Sequence, residues 1–584
     1  MTLKPPSPKW VLGNTPALRD VEALQEALSL PRPLCALLVS RGLAGTEDAK
    51  RFLRPLLSDL FPPDDLPDFS GAVSRIMRGI RDGETILVHG DYDVDGMAGT
   101  ALLTRWLRLL GAAKVVPFVP HRSRDGYDLG PTGLEMAARE GCTLLITVEC
   151  GILAYETVSE ARSRGIDVIV TDHHAPGNEL PAGHSIINPS RGDSSYENPD
   201  LCGTGVAYKL CQGLAAARGI AEEELHPFLD LVGLATVADL VPLRGENRIM
   251  ARYGLKAMAR TTNLGLQALM DEAGVSTEEI SAGKIGFGLA PRLNALGRLG
   301  EPQDGLNLLL TEDPDEAKIL ARRADDVNRE RQAADRYALE EVHERLAMDF
   351  DPSADFGVVL ESENWHPGVV GIVASRVVER IHRPAVLIAL EGERGRGSAR
   401  SIPDFHVLDG IRSSAAILER YGGHRQAAGL EILRDRIPEF RANFNREARE
   451  LLEGKDLRPV IKVDVEVLLE EMSRNLLHYL DYVGPHGIGN PAPTFLARGV
   501  RVAGFPRIVG SDHLKLNLRQ GNQEREAIGF NLAGRIPPDG LGTEALDVVF
   551  QLHENEFRGV RRLQARLKDL RPASDSGLKK AIPR

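Results

Sequence analysis

Ile86-Leu87-Val88 runs directly into His89-Gly90-Asp91-Tyr92-Asp93-Val94-Asp95-Gly96-Met97. Three apolar residues without polar alternation read as the end of a strand buried on both faces, the situation of a parallel sheet. The three alternating aspartates then stand where open α/β sheets place their ligands, outside the carboxyl ends of the strands. Carboxylates so crowded repel one another unless a cation neutralises them or one of them is protonated. A hard divalent ion is the natural partner. An isolated D-x-D-x-D is equally an acidic turn closed by glycine, so the rest of the chain has to decide.

From about residue 72 the pattern is βαβα. Strand candidates are Thr85–Val88, Val115–Val119, Leu144–Val148 and Asp167–Val170, separated by helical stretches at 97–110, 131–140 and 155–164 that end in or near Gly111, Gly141 and Gly165. This alternation predicts a parallel sheet covered by helices on both faces. Two more strands end in polar residues: Leu144–Val148 leads to Glu149, and Val168–Val170 leads to Thr171-Asp172-His173-His174. The apolar stretch from Leu229 closes at Asp239. Each carboxylate alone would serve as a loop or helix cap. Four such sites in one βα domain, one of them with a double histidine, point to a metal centre.

The 584 residues allow three or four domains. A net charge of −12 does not announce a polyanion-binding protein, although it leaves room for a basic groove in an acidic shell. Five cysteines without a C-x-x-C pair predict reduced thiols and a cytoplasmic protein. The N-terminal residues have no apolar signal core, and no run of about 18 apolar residues predicts a membrane span.

Residues 1–70 read as an N-terminal lead-in with helices near 20–30 and 46–58, and the parallel-sheet domain as 71–310. In 311–350, Asp313 and Glu316 flank Pro314 as a capping box for a charged helix of roughly 35 residues, about 50 Å long, that joins two globular parts. A smaller α/β domain follows over 351–455, with strands at Val358–Leu360 and Ala385–Leu390. Its Arg394-Gly395-Arg396-Gly397-Ser398-Ala399-Arg400-Ser401 run suits either phosphate contacts or an exposed flexible hairpin. Short strands over 456–571 predict a small β-barrel, for which an oligonucleotide-binding (OB) fold fits. Residues 572–584 read as a basic, disordered tail.

Taken together, His89-x-x-x-Asp93-x-Asp95, Glu149, Asp172-His173-His174 and Asp239 resemble the four signature motifs of the DHH phosphoesterases. Leu201–Ala207, Ala290–Arg298, Trp365–Val369, Gly422-Gly423-His424 and Gly487–Pro491 are similar to the single-strand-specific exonuclease branch of that family. The resemblance implies an α/β architecture of a DHH parallel-sheet domain, a long connecting helix, a DHHA1 domain and an OB-type barrel. It implies 5′→3′ hydrolysis of single-stranded DNA in recombination and repair, with two Mn²⁺ or Mg²⁺ ions. The ligands it implies are Asp93, Asp95, Glu149, His173 and Asp239, with His89 and Asp91 close by. His174 would contact the scissile phosphate, protonate the leaving oxygen, or make a supporting hydrogen bond, and Asp172 would orient His173. Arg122, Ser398 and Arg400 would grip the 5′ phosphate and backbone with Arg298 near the centre, Tyr127 would stack on a base or pack in its loop, and His366 and His424 would line the DHHA1 side. Partners implied are single-stranded DNA, single-strand-binding protein and a RecQ-type helicase, for a monomer with no membrane association.

One residue departs from the pattern. The family's second motif carries an aspartate that bridges both metals, and here Thr147-Val148-Glu149-Cys150-Gly151 has glutamate. Either the site takes a longer bridge, or it is impaired and the chain acts as a single-strand-binding scaffold. RNA or a short oligonucleotide remains an alternative substrate.

Overall fold

Residues 85–187 build an all-parallel, five-stranded sheet. Its strands are β1 (Thr85–His89), β2 (Lys114–Phe118), β3 (Leu144–Thr147), β4 (Asp167–Thr171) and β5 (Ser185–Ile187), in the order β2-β1-β3-β4-β5. The three-residue β5 is too short for its sequence pattern to announce. β1 lies between β2 and β3, so the winding reverses beside it and a crevice opens at the strand ends. Helices α1 (Val94–Leu109), α2 (Pro131–Glu140) and α3 (Tyr155–Ser163) connect the strands. Leu134 and Ala137 of α2 and Val158 and Ala161 of α3 pack on Leu87, Leu145, Val168 and Val170 of the sheet. α1 packs instead with α4 (Gly203–Arg218) and α5 (Leu229–Ala238). α5 is buried from Leu229 to Val237, as a helix apolar on all sides must be. α6 (Ala290–Leu299) follows.

The computed structural model describes residues 6–510, 512–535, 544–557 and 560–573. The expected tail, from 574 on, lies outside the described residues. The chain forms two units, one of residues 60–458 and one of residues 7–59 with 459 onward.

The connecting helix α7 is Pro314–Asp349, 36 residues. Asp313 caps it, accepting from the Asp315 amide at 2.8 Å. The reciprocal half of the predicted capping box is not made: Glu316 bonds the Thr311 hydroxyl, and Thr311 accepts from the Asp313 amide at 3.1 Å. Thr311 sits nearer both groups and takes them over. The buried stripe of α7 is apolar towards its ends and polar at Asp325, Asn328, Arg331 and Asp335. Its C-terminal end, Ala338, Val342 and Leu346, shares a core with Val358, Val370 and Leu387.

The second sheet contains β6 (Val358–Ser362), β7 (Ala385–Glu391), β8 (Arg394–Arg400), β9 (Leu418–Gly423) and β10 (Ala427–Leu433). They lie in the order β9-β10-β8-β7-β6, with β6–β7 parallel and the rest antiparallel. Helices α8 (Val370–Ile381) and α9 (Ile437–Leu452) flank it. The Gly/Arg-rich run is β8 itself, paired on both edges, and not a flexible loop.

In the other unit, β11 (Phe495–Val509), β12 (His513–Gln520), β13 (Gln523–Gly529), β14 (Leu546–Phe557) and β15 (Val560–Pro572) close in the cycle β11-β12-β13-β15-β14-β11. This is the five-stranded OB barrel. The helices Leu18–Leu28, Arg32–Ser40 and Thr46–Leu53 share its core. Lys9–Leu12 pairs in parallel with Val460–Val463, and the Trp10 indole N–H donates to Asp569 at 2.8 Å. Among the described residues no helix is long and apolar enough to cross a membrane.

Candidate metal centre

The carboxyl ends of β1, β3 and β4 lie side by side, with His89 opposite Thr147 and the Glu149 amide donating to the Thr171 carbonyl at 3.0 Å. Asp93 caps α1, accepting from the amides of Asp95 and Gly96 at 2.9 and 3.1 Å. The bend needs glycine at 96, because a Cβ there would stand 2.4 Å from the Asp91 backbone. Asp95 turns its carboxylate onto the N-terminus of α4, accepting from Gly203 N at 2.6 Å and Thr204 N at 2.7 Å. Amides at a helix start are ready donors to an anion, so Asp95 is fixed before any ion arrives. This explains why Leu201–Ala207 accompanies the aspartates.

Glu149 is buried and has φ 65°, a left-handed conformation uncommon for glutamate. It lies against Gly203, where a Cβ would come 2.4 Å from the Glu149 Cβ. Asp239 ends α5, its amide bonded to the Ala235 carbonyl at 2.9 Å. His173 Nε2 stands 3.8 Å from Asp95, 3.9 Å from Glu149 and 3.8 Å from Asp239.

Asp172 does not orient the His173 ring as expected. Its Oδ1 accepts from His174 Nδ1 at 2.9 Å and from the amides of both histidines, while Oδ2 takes the Ile152 amide at 3.0 Å. The tight turn after β4 brings the second ring, not the first, back over the carboxylate. Burial opposes a charge on His174, but Asp172 outweighs it and the pKa is raised. Burial lowers that of His173.

Three donor sets lie within 4.8 Å internally: Asp95, His173 and Asp239; Glu149, His173 and His174; and Asp91, Asp93 and Glu149. Glu149 belongs to two of them. Burial, then the neighbouring carboxylates, raise the pKa of Asp91, Asp93 and Glu149, and push Asp239 up to about 9. Asp91 Oδ1, Glu149 Oε2 and His173 Nε2 are buried with no hydrogen-bond partner. Orphaned donor atoms among repelling carboxylates are what a cation site requires, and mixed carboxylate and imidazole ligation suits Mn²⁺ or Mg²⁺. His89 stands outside these sets. Its ring lies against Gly133 with Nδ1 3.6 Å from Cys150 Sγ, and burial lowers its pKa to about 4.

The centre opens into a cavity of about 400 Å³ lined by Asp91, Asp93, Glu149, His174 and Asp239 together with Tyr92, Arg122, Tyr127, Asn294 and Arg298. Arg122 lies over the Tyr92 ring at 5.5 Å. The Tyr127 hydroxyl is 3.2 Å from His174 Nδ1, and its ring is half exposed. Arg298 donates to the Gly368 carbonyl at 3.3 Å. Burial, then Arg122, Arg400 and Arg331 against the pull of Asp93, lower its pKa to about 10. Arg400 donates to Ser398 Oγ at 3.0 Å, and both lie against Gly371 at the start of α8. His366 Nδ1 accepts from the Gly368 amide at 2.9 Å. His424 is exposed in the turn after β9, and no side-chain contact joins it to these residues among those described.

Several supporting residues carried no sequence signal of their role. Asn294 accepts from the Val94 amide at 3.2 Å, Asn188 donates to the His174 carbonyl at 2.9 Å, and Asp128 accepts from Gly151 N at 2.5 Å. Asn294 lies within the Ala290–Arg298 motif, which was its one available clue.

A parallel sheet with carboxylates and histidines converging at its switch point, followed by a second α/β domain, defines a metal-dependent phosphoesterase of the DHH class. Family profiles agree: the DHH family N-terminal domain matches residues 85–236, the DHHA1 domain 355–450 and the RecJ OB domain 463–569. The single-stranded-DNA-specific exonuclease RecJ of Dickeya dadantii is 36% identical over 565 residues, covering 93% of this chain and 96% of that one. The chain belongs to the RecJ family. The crystal structure of Thermus thermophilus RecJ with Mn²⁺ superposes with a TM-score of 0.83 at 31% identity, over 97% of this chain and 80% of that one. Its Mg²⁺ complex gives 0.77 at 29% identity, over 97% and 79%.

Proposed function

We propose that this chain is a single-stranded-DNA-specific 5′→3′ exonuclease, hydrolysing phosphodiester bonds with two Mn²⁺ or Mg²⁺ ions in recombination and repair. The observation that carries this reading is the set of orphaned carboxylate and imidazole atoms beside a cavity that Arg122 and Arg298 also line. Asp93, Asp95, Glu149, His173 and Asp239 hold the ions, and Asp91 adds a carboxylate on the Asp93 side. Bound there, the ions supply Lewis acidity towards the phosphoryl oxygens and an acidified water.

The chain's own groups do the rest. Asp172 holds His174 by Nδ1 and favours its charged form, so Nε2 is a proton donor towards the scissile phosphate or leaving oxygen. Asp172 is thus a positioning residue. Arg122, Arg298, Ser398 and Arg400 bind phosphate oxygens, for which guanidinium geometry is suited. Tyr127 offers an aromatic face to a base. His366 braces the Gly368 turn beside Arg298.

We assign domains 71–310, 311–350, 351–455 and 456–571 to the DHH, connecting, DHHA1 and OB parts. The family resemblance supplies the partners of this reading, single-strand-binding protein and a RecQ-type helicase, and its monomeric state. A cytoplasmic setting accords with five buried, unpaired cysteines.

The test is digestion of 5′- and 3′-labelled single-stranded oligonucleotides with Mn²⁺, beside a duplex and an RNA strand. The 5′ label should be released first, from single-stranded DNA, and Glu149→Gln should lower kcat at least about 100-fold with its melting temperature held. Prior release of the 3′ label, or cleavage of the duplex alone, would refute the reading.

A further inference from the structure

Asp239 ends α5, and the residue after it breaks two rules at once. Leu240 has φ 60°, the left-handed conformation in which a helix commonly ends on glycine and which a branched side chain avoids. It is also 63% exposed, although Val237 before it and Val241 after it are buried. Among the described non-glycine residues with positive φ it is the one aliphatic residue, the others being Ser29, Asp68, Asp128, Glu149, His382 and Asn531. Leucine at this position gives the fold neither an easy turn nor buried surface.

Leu240 does line the cavity of the metal centre. The aromatic rings there already have neighbours: Arg122 lies over Tyr92 at 5.5 Å, and Tyr127 meets Tyr92 and His174 edge-on with ring centres 6.5 and 5.8 Å away. Leu240 adds an aliphatic face that is open to whatever enters. A strand bound for hydrolysis gives its phosphate to the ions and to Arg122 and Arg298. What it presents beside that phosphate is a nucleoside on either side, and the bases are its broad apolar faces. Covering an exposed leucine with such a face releases water from both. Side chains held in costly backbone conformations cluster where function requires them.

We propose that Leu240 is a further substrate-binding residue, which packs on the base of a nucleotide flanking the scissile phosphate. This rests on the nuclease reading above. It puts a base contact one residue from a metal ligand, so a single turn sets both the register of the strand and the place of the ion.

The experiment follows release of the labelled 5′ nucleotide in Mn²⁺ from single-stranded oligonucleotides that are intact or abasic at the first or the second position. Leu240→Gly and Leu240→Asn both suit the left-handed turn and remove the aliphatic face. On the intact strand each should raise KM roughly threefold to tenfold, the loss of part of a leucine's burial, with kcat changed less. On the abasic strand that lacks the contacted base, the wild type should show that rise already and the variants should add nothing to it. In EDTA Leu240→Gly should melt no lower than the wild type, because it relieves the turn, and its gain in melting temperature from Mn²⁺ should be the same. An unchanged KM, or an equal further loss on the intact strand and both abasic strands, would overturn the proposal. So would a smaller gain from Mn²⁺, the mark of a leucine that merely sets Asp239. If the wild type releases no label from any strand, the nuclease reading falls, and this inference with it.

Discussion

Asp239→Asn separates the cost of the metal centre from its use. In the metal-free protein burial, then Asp95 and Asp93, push the Asp239 carboxyl from 3.8 up to about 9, so at pH 7 folding makes it take up a proton. At 1.36 kcal/mol per pH unit, protonating at pH 7 a group whose ordinary pKa is 3.8 costs about 4 kcal/mol. An acid with a raised folded pKa contributes stability that is present below its unfolded value and lost as pH rises through the folded one. The metal-free chain should therefore lose stability between about pH 4 and 9. Asparagine carries no such cost, so in EDTA at pH 7 the variant should melt higher, by on the order of 5 °C for a unit this large. In Mn²⁺ the order reverses, because the wild type regains its ligand and the variant does not. Differential scanning fluorimetry at pH 5, 7 and 9, with EDTA or Mn²⁺, reads both effects. A variant that melts lower than the wild type in EDTA at pH 7, or that gains as much from Mn²⁺, would refute the reasoning.

Two other perturbations probe different groups. Asp172→Asn removes the acceptor on His174 Nδ1, so the His174 pKa should fall in an NMR titration and kcat by about 10–100-fold. Arg75 is buried between Glu84 at 2.7 Å and Asp167 at 2.5 Å. Burial works to raise the Glu84 pKa, but Arg75 and Thr143 outweigh it and the result is lowered. The stability this gives is present above the ordinary glutamate value and lost as pH falls through the lower folded one. Arg75→Met should cost about 2 kcal/mol at pH 7 and flatten the denaturation curve between about pH 5 and 3.

What the sequence made legible was local. The ends of β1, β3 and β4 showed themselves because an apolar run, a period and a change of residue type coincide within a few positions. The length of α7 showed in the cap at Asp313 and in a helical composition that persists to its end. Relations that form when distant segments meet did not show. Asp95 is held by Gly203 and Thr204, over 100 positions away. Adjacent His173 and His174 offer the same chemistry to Asp172, and the turn after β4 decides between them. β8 reads as a loop from its glycines, and becomes a strand because β7 and β10 pair with it on both edges. Arg331 belongs to a helix whose sequence is charged throughout, and it is buried only because of what α7 packs against.

The pairing of the first strand carries a consequence for how the chain is made. Trp10 meets Asp569, 559 positions later, and the helices of residues 18–53 share the barrel's core. At about 5–20 residues per second, this apolar surface waits roughly half a minute to two minutes after its synthesis for its partner. The 60–458 unit is complete within that interval, so the protein matures from its middle outwards. The apolar faces of the helices of residues 18–53 stay uncovered until the barrel strands are made.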